Sequence, residues 1–585
     1  MSSALAQEAW IEALPLEISN SKLCHDKGIA FNFTHIEVVD DYLFLWKDGL
    51  SNKILRIHLE TRHIEPILIP QNIKISSLKI ISKKSEQCLL ISENRIRPQL
   101  HLINLSNPRQ IHPFSYPSFS ADIIQIEYTS ISSITLYVLT QHNFNIIGLD
   151  DSCTQIVYHD RIDVRDLNLV HFCLGTPKHL HDKLLNEYNL YYGFSKLAAY
   201  LMDKAGDIYV CSPVIPHKYQ CTMQMLEEEE PINDQLHLQW LNECWNISVL
   251  HDNTASVLNE SILNHSQLQS MHTHTQQPYI SFDATAQFIR ENRHIERTLY
   301  KLHILQSDDS STAASSRNAV CTQMFMLDLD SFCFHDRLKA EKPRTCDDYA
   351  TDDEPVHIHP VFVRIWSDRS IDIVCCTNHI HPSWKLDGYY EQREDDIDAL
   401  VIYRNYLQFN DEQDNNQNGN IDYFMITKCV QNLDELILGH SLHGLYRLRM
   451  PWLNQIPFAL KESLAAYIEL LQGCESSIEQ IPLFKFYPSS SHNASHAILS
   501  DLSILSNHSN TNYDELIILD EYLKKLHVFP LYHVDMHKIN ASIDAEDDRK
   551  YADNSHEQKK IDIATKFDMN MMKPFDSAQI DEMQQ

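Results

Sequence analysis

The chain has 585 residues, 43% of them hydrophobic, which is enough for a large buried core. Its 80 acidic residues outnumber its 48 basic ones, and the net charge of −32 disfavours nonspecific binding to nucleic acid or to an anionic membrane. Residues 1–10 lack the basic start and apolar segment of a secretory signal, and no run reaches the ~20 apolar residues of a membrane span.

Short apolar runs separated by polar turns follow one another along the chain. A short helix is predicted over Ala4–Leu14, and the first strand pair is Tyr42–Trp46 with Ile54–Leu59, joined by a turn at Lys47–Gly49. This unit of strand, turn and strand recurs about seven or eight times. The recurring runs are 88–92 with 99–105, 124–128 with 134–139 and 144–149, 197–202 with 207–211, 298–305 with 323–334, 361–366 with 371–376, 399–409 followed by 421–430, and 515–519 with 522–529.

Repeated antiparallel units in one chain favour a β-propeller over a sandwich. A compact blade takes about 40–45 residues, so the wider spacing here predicts long insertions. The candidate insertions are 226–292, 306–322, 338–358, 410–420 and 484–512. The predicted fold class is therefore all-β, a β-propeller over residues 1–532 with long loop insertions and a few short helices. Several separate β domains are the alternative, although no linker rich in Pro, Ser or Gly divides the units.

The stretch Gly439–Leu453 combines a polar turn with a strand. The turn carries His440 and His443, and a strand over Tyr446–Leu453 would place Leu448 and Met450 on one face, with Arg447 and Arg449 on the other. No nucleophile or acid–base pair is evident in this stretch, which predicts a packing role.

One strong amphipathic helix is predicted over Phe458–Gln472, between Pro457 and Gly473, which are favourable residues for a helix start and stop. Its apolar face includes the candidate partner-binding residues Leu464, Tyr467, Ile468 and Leu471. The face either packs on its own blade or docks a partner. A weaker helix is predicted over 235–245, and residues 533–585, which lack a sustained apolar period, are predicted to form a largely disordered acidic and polar tail.

The sequence offers little catalytic chemistry. Its 33 histidines include HxH pairs at 357/359, 379/381 and 272/274, but no spaced Cys/His quartet accompanies them, so no metal site is predicted. Nucleotide-binding and hydrolase motifs are missing, and acidic runs at 227–230, 352–354 and 394–398 are read as solvated surface. The 14 cysteines contain no CxxC motif, which predicts free thiols in a reducing compartment. We expect no enzyme activity, no catalytic residue and no cofactor.

Several of these segments carry a family resemblance. Tyr42–Gly49 followed by Ile54–Leu59 resembles the first blade of the nucleoporin-88 family, whose fungal counterpart is nucleoporin-82. Gly439–Leu453, with its His-Gly turn and a strand ending at Trp452, resembles that family's motif, and the helix 458–472 follows as it does there. Glu515–Leu519 and Leu526–Leu531 resemble the strands of the last blade.

The resemblance implies a seven-bladed propeller at the cytoplasmic face of the nuclear pore complex, which anchors phenylalanine-glycine (FG) nucleoporins and supports mRNA and protein export. The implied partners are nucleoporin-214-like, nucleoporin-98-like and nucleoporin-62-like proteins, with no direct nucleic acid binding and no membrane insertion. The family's C-terminal coiled coil is missing, because residues 533–585 hold no sustained heptads. The expected function is therefore docking by the propeller itself.

Two other functions remain open from the sequence. A WD40-like adaptor outside the pore is the first, although the recurrent Gly-His and Trp-Asp signature of such repeats is not seen. A propeller enzyme such as a glycosidase, with carboxylates at the central channel, is the second, and no motif supports it.

Overall fold

The computed structural model describes residues 2–47, 53–69, 73–83, 86–93, 98–105, 114–115, 119–130, 134–150, 155–175, 190–191, 193–214, 220–222, 279–281, 295–297, 299–306, 319–327, 356–357, 359–378, 380, 384–386, 398–406, 428–432, 435–440, 444–450, 477–481, 499–505, 513–520 and 525–532. Within these residues, no helix is both long enough and apolar enough to cross a membrane.

The described residues begin with two helices, α1 (Ser2–Asn20) and α2 (Lys22–Asp26). Seven sheets of three to five strands then follow in chain order within the described part of the chain, and we number them as blades 1 to 7. Blade 1 contains β1 (His35–Val39), β2 (Tyr42–Trp46), β3 (Lys53–His58) and β4 (Ile64–Leu68). Blade 2 contains β5 (Ser77–Lys83), β6 (Glu86–Glu93), β7 (Gln99–Asn104) and β8 (Phe114–Ser115). Blade 3 contains β9 (Ile123–Thr129), β10 (Thr135–Thr140), β11 (Asn143–Leu149) and β12 (Ile156–Asp163).

Short additional strands lie between the main strands of the next two blades. The chain continues with β13 (Leu169–Leu174), β14 (Leu190–Tyr191), a 3-10 helix (Gly193–Leu197), β15 (Ala199–Asp203), β16 (Ile208–Cys211), β17 (Gln220–Thr222), β18 (Tyr279–Ser281), β19 (Ile295–Arg297) and β20 (Leu299–Lys301). Blade 4 consists of β13, β15, β16 and β20. Next come β21 (Ile304–Gln306), β22 (Cys321–Met326), β23 (Val356–His357), β24 (Val361–Trp366), β25 (Ser370–Cys376), β26 (Trp384–Leu386) and β27 (Ala399–Tyr406). Blade 5 consists of β22, β24, β25 and β27, with β21 as a fifth strand parallel to β27.

The last two blades complete the series. Blade 6 contains β28 (Lys428–Asn432), β29 (Glu435–His440), β30 (Gly444–Arg449) and β31 (Ser477–Ile481). Blade 7 contains β32 (Leu499–Leu505), β33 (Tyr513–Asp520) and β34 (Lys525–Tyr532). Neighbouring strands within these blades pair antiparallel, except for β21.

The blades pack face to face through apolar clusters. Strands in the middle of a blade are buried on both faces, and β10, β24 and β25 are buried at every residue, because their blades lie between two others. Separate clusters join blades 1 and 2, 2 and 3, 3 and 4, and 4 and 5. Blade 6 contacts β32 of blade 7, and a further cluster joins blade 7 to blade 1. The first and last blades therefore meet, and the molecule is the expected all-β propeller.

Most of the predicted strand pairs are confirmed, including β2 with β3, β6 with β7, β24 with β25 and β33 with β34. The first helix is longer than predicted and runs to Asn20. In the stretch 439–453, the second strand spans Gly444–Arg449 rather than 446–453, and His440 is the last residue of β29 rather than a turn residue. Tyr446, Leu448 and Met450 are buried and Arg447 and Arg449 are half-buried, as the alternation predicts.

Two of the predicted units are wrong. In the unit of 399–409 and 421–430, β27 pairs with β25 of blade 5 whereas β28 belongs to blade 6. The pairing of 298–305 with 323–334 is wrong as well. The run 298–305 divides at His303, whose carbonyl accepts a hydrogen bond from the Asp398 N–H. As a result, β20 belongs to blade 4 and β21 to blade 5. The strand β22 pairs with β24 instead. The predicted helices over 235–245 and 458–472 and the tail 533–585 lie outside the described residues.

Candidate functional site

The longest connections leave one side of the ring. In an antiparallel sheet, the connection from the first to the second strand and the connection from the third to the fourth leave the same end of the sheet. In blades 4, 5 and 6 these connections include long ones, over residues 175–198, 212–298, 327–360, 377–398 and 450–476. We name this side of the ring the insertion face. On the other side, the turns between second and third strands are short, over residues 204–207, 367–369 and 441–443.

Strands within the insertions pair across two blades. The insertion strand β14 of blade 4 pairs in parallel with β23 of blade 5, with Leu190 opposite Val356. The insertion strand β19 of blade 4 pairs antiparallel with β26 of blade 5, with Ile295 opposite Leu386. A further antiparallel pair, β17 with β18, lies within the connection 212–298. The described strands of these insertions therefore link blade 4 to blade 5 outside their main sheets, and we name these strand pairs the insertion layer.

Hydrogen bonds hold the base of this layer. The Asp398 carboxylate accepts from the backbone N–H of His303 at 2.9 Å and from the Asn378 side chain at 3.4 Å, and the Asp398 carbonyl accepts from the Thr377 N–H at 2.9 Å. His359 is buried, and its Nδ1 lies 3.3 Å from the carbonyl oxygen of Asn378. Asp398, the last residue of an acidic run that we expected to be solvated surface, therefore anchors the insertions of blade 5.

The HxH pairs do not gather into a metal centre in the described part of the chain. There, no group of three or more His, Cys, Asp or Glu side chains is placed to hold a metal ion. His359 contacts a backbone carbonyl instead, and residues 272, 274, 379 and 381 lie outside the described residues.

A buried ion pair lies where blades 4 and 5 meet, near the short turns. Nε and Nη2 of Arg364 donate to the two carboxylate oxygens of Asp372, each at 2.8 Å, and Nη1 donates to the Gly206 carbonyl at 2.6 Å. Nε1 of Trp366 donates to the same carboxylate at 3.0 Å. Burial lowers the pKa of Arg364, but the charge and hydrogen bonds of Asp372 offset this effect, and the pKa is raised.

Gly206 has the backbone conformation, and lacks the side chain, that this contact requires. Its φ of +85° suits glycine, and a Cβ built there would lie 2.6 Å from the Trp366 ring. The turn of blade 4 that contains Gly206 can therefore approach the Trp366 indole of blade 5 closely, and the Gly206 carbonyl reaches the Arg364 guanidinium.

Polar contacts also join neighbouring blades near their innermost strands. Each contact crosses a different junction: Ser82 with Asp40, Lys79 Nζ with Glu127 Oε1 at 3.0 Å, the Gln125 amide with the backbone N (2.8 Å) and O (3.0 Å) of Phe172, Cys173 Sγ with the Met324 carbonyl at 3.2 Å, and the Val38 N–H with Ser503 Oγ at 2.9 Å. The Gln125 amide pairs with Phe172 as a neighbouring strand would. These contacts fix the blades relative to one another.

Titratable groups in this inner region are perturbed by burial. Burial lowers the pKa of His171 to about 4 and raises the pKa of Cys173 to about 12. Burial also raises the pKa of Tyr128, with a further contribution from Glu37. Cys173 contacts the Met324 carbonyl across the junction of blades 4 and 5, and a thiol that burial keeps neutral is a weak nucleophile. The seven cysteines whose side chains are described, including the adjacent Cys375 and Cys376, are free thiols.

The predicted partner-binding residues Leu464, Tyr467, Ile468 and Leu471 lie outside the described residues. The ends of their segment are described, because Arg449 at the end of β30 pairs with Ser477 at the start of β31. The segment 450–476 therefore leaves and re-enters blade 6 at neighbouring positions on the insertion face.

Sequence reasoning missed the pair Arg364 and Asp372, although a signal was present. Each is a lone charge in an apolar strand, in Val361–Trp366 and in Ile371–Cys376. The predicted hairpin brings them opposite each other, and two opposite charges facing each other across a buried hairpin indicate an ion pair.

A scan against protein-family models finds no match, and a search of curated proteins finds none. Among solved structures, the chain is similar to one in the yeast heterotrimeric Nup82–Nup159–Nup116 nucleoporin complex, with 11% identity, a TM-score of 0.44, and 85% of this chain and 97% of that chain covered. It is also similar to a chain of the Chaetomium thermophilum Nup82 NTD–Nup159 TAIL–Nup145N APD complex, with 11% identity, a TM-score of 0.48, and 86% and 95% covered. A third similar structure is the Myceliophteria thermophila Cps50 (Swd1) β-propeller domain, with 9% identity, a TM-score of 0.33, and 85% and 98% covered.

Proposed function

We propose that this chain is a non-enzymatic scaffold of the nuclear pore complex, of the nucleoporin-82/nucleoporin-88 type, that docks other nucleoporins on its insertion face. The observation that carries the proposal is the one-sided layer of insertions on a rigid ring of seven blades. Binding residues are commonly placed on loops that a rigid framework positions, and here the five longest connections, all within blades 4, 5 and 6, leave one side.

The sequence resemblance supplies the cellular setting of this proposal. We place the ring in residues 1–532 and a tail in 533–585, at the cytoplasmic face of the nuclear envelope. There the chain anchors FG nucleoporins and supports mRNA and protein export. Its partners are nucleoporin-214-like, nucleoporin-98-like and nucleoporin-62-like proteins; the similar yeast complex contains Nup159 and Nup116.

The segment 450–476 is the proposed docking element of blade 6. Its predicted helix presents Leu464, Tyr467, Ile468 and Leu471 on one face, which suits pairing of an amphipathic helix with an apolar groove. Because both ends of the segment join paired strands, a short linker can replace it without separating β30 from β31.

Replacement of 451–476, which keeps the buried Met450, by a short Gly/Ser linker tests this role. We expect the purified variant to retain its β-type circular dichroism and cooperative melting, because the linker keeps β30 and β31, whose ends Arg449 and Ser477 are paired, in one chain. Affinity purification from cells should then recover far less nucleoporin than the unaltered chain recovers.

Point substitutions provide a matched pair of variants. Leu464→Asp with Ile468→Asp changes the apolar face, and Glu462→Gln with Glu469→Gln changes polar positions of the same predicted helix. Recovery of nucleoporins should fall only in the first variant. Unchanged recovery in a folded Leu464→Asp/Ile468→Asp variant would remove this helix as the docking element.

A WD40-like adaptor outside the pore is the competing function. A fluorescently tagged full chain distinguishes the two, because a pore scaffold gives staining of the nuclear rim. Diffuse or vesicular staining, with no nucleoporin co-purified, would reject the pore function.

A further inference from the structure

The N-terminal helix α1 lies across the seam between the last and the first blade. Its residues Ile11, Leu14 and Ile18 are fully buried. They belong to one apolar cluster with Leu43 and Leu55 of blade 1 and with Ile517, Leu519 and Leu526 of blade 7. The helix thus joins strands that are far apart in the chain.

Each blade supplies a separate contact to α1. On the side of blade 1, the Arg62 guanidinium, in the turn between β3 and β4, lies 5.2 Å from the centre of the Trp10 ring. On the side of blade 7, α1 packs along β34. Trp10 is itself held by a hydrogen bond of 2.8 Å from its Nε1 to Glu17 of the same helix.

The outer edge of blade 7 is poorly suited to a further strand. In the described part of the chain, blade 7 has three strands and ends at β34, whereas blades 1 to 6 have at least four. Pro530 lies within β34 and has no N–H to donate to a neighbouring strand. A helix can cover this edge through side chains alone, without backbone pairing.

We propose that α1 is a latch that closes the ring. It takes the place of a fourth strand on blade 7, clamps that blade to blade 1, and allows the seam between them to open when it is released. Without the latch, the direct contacts of blade 7 with blade 1, such as that between Val38 and Ser503, remain, but the apolar cluster is exposed on one side. This inference is independent of the proposed docking function.

Hydrogen exchange of the full chain tests the latch. The variant Ile11→Ser/Leu14→Ser removes the buried face, and Leu16→Ser, at a residue that is 66% exposed on the same helix, is the matched control. We expect amides of β2, β3, β33 and β34 to exchange about a hundredfold faster in the first variant, because local opening no longer has to displace buried leucine and isoleucine. Amides of β10 and β11 in blade 3 should be unaffected.

The pattern of exchange decides the result. Acceleration in all blades alike would mean that α1 only adds to global stability, and unchanged exchange would mean that it holds nothing; either overturns the proposal. If the double variant does not accumulate as folded protein, Leu14→Ala is measured in its place. Adding a peptide of residues 2–20 to a chain that lacks them should restore the protection of blades 1 and 7, and failure to do so would count against a latch.

Discussion

At the scale of single residues, Arg364 and Asp372 set how blades 4 and 5 meet. They are cross-strand partners and almost fully buried. Removing two charges from water is costly, and their mutual attraction offsets that cost only when the remaining hydrogen bonds are satisfied. Gly206 and Trp366 provide those bonds. We infer that the pair contributes to the specificity of the junction more than to its net stability.

Removal of one charge should be far more damaging than removal of both. Asp372→Ala leaves the Arg364 cation buried and unpaired, and we expect it to lower the free energy of unfolding by about 3–5 kcal/mol. The variant Arg364→Met/Asp372→Leu has no buried charge and should recover most of that loss. Urea unfolding measures both variants, and Asp163→Ala, in an exposed pair, should leave the midpoint unchanged. Equal losses in the single and double variants would contradict this account.

His171 makes stability depend on pH. Burial lowers its pKa in the folded chain to about 4, from the ordinary histidine value of 6.5, so the unfolded chain binds more protons between these values. Stability is therefore greatest above pH 6.5 and falls as the pH falls toward 4. Between pH 7 and 5 we expect this group to remove about 1–2 kcal/mol.

Unfolding by urea at a series of pH values isolates this contribution. In His171→Leu, which has no group to titrate, the loss of stability between pH 7 and 5 should be smaller by that amount. Val157→Leu, at an exposed residue without a titratable group, is the control and should retain the slope of the unaltered chain. If stability depended on pH in His171→Leu as steeply as in the unaltered chain, the His171 imidazole would have to protonate as readily in the folded chain as in the unfolded chain.

At the scale of elements, the hairpins were predictable because each strand pair is local. The pairing of such strands is fixed locally: one example is the run Val361–Trp366, the turn that follows it and the run Ile371–Cys376. The run 298–305 was not predictable in the same way, because its two halves join different blades and its division depends on Asp398, which is distant in sequence. The cross-blade pairs β14 with β23 and β19 with β26 also carry no local signal, since their strands have only two or three residues.

The insertion face, which is the candidate docking surface, was predicted only in part from the sequence. The long insertions were visible in the spacing of the apolar runs, but not the fact that several of them leave one side of the ring. That fact follows from the order of strands within blades 4, 5 and 6 and cannot be read before the pairing is known. The apolar face of 458–472 stays a prediction.

At the scale of the whole molecule, the ring is closed, so the first and last blades contact each other and neither lies at an open end. The helix α1 packs along β34 and β1 packs along β32, so the first and last described elements lie at one seam. An apolar cluster joins blade 7 to blade 1, and another joins blade 1 to blade 2, so neither end of the series of described blades is a terminal cap. A ring of this kind tolerates new ends wherever a surface turn is cut, provided that the original ends are joined.

Circular permutation tests this closure directly. We expect a chain cut between Gln141 and His142, in the turn between β10 and β11, and joined from residue 585 to residue 1 to fold with an unchanged β-type circular dichroism spectrum. Its melting temperature should lie within about 10 °C of the unaltered chain, because a cut in a surface turn removes little buried contact. A cut between Tyr137 and Val138, both fully buried in β10, is the control and should not give folded protein. Were the blades an open array, joining the ends would force distant blades together. The first permutant would then melt no better than the second, which would reject the ring.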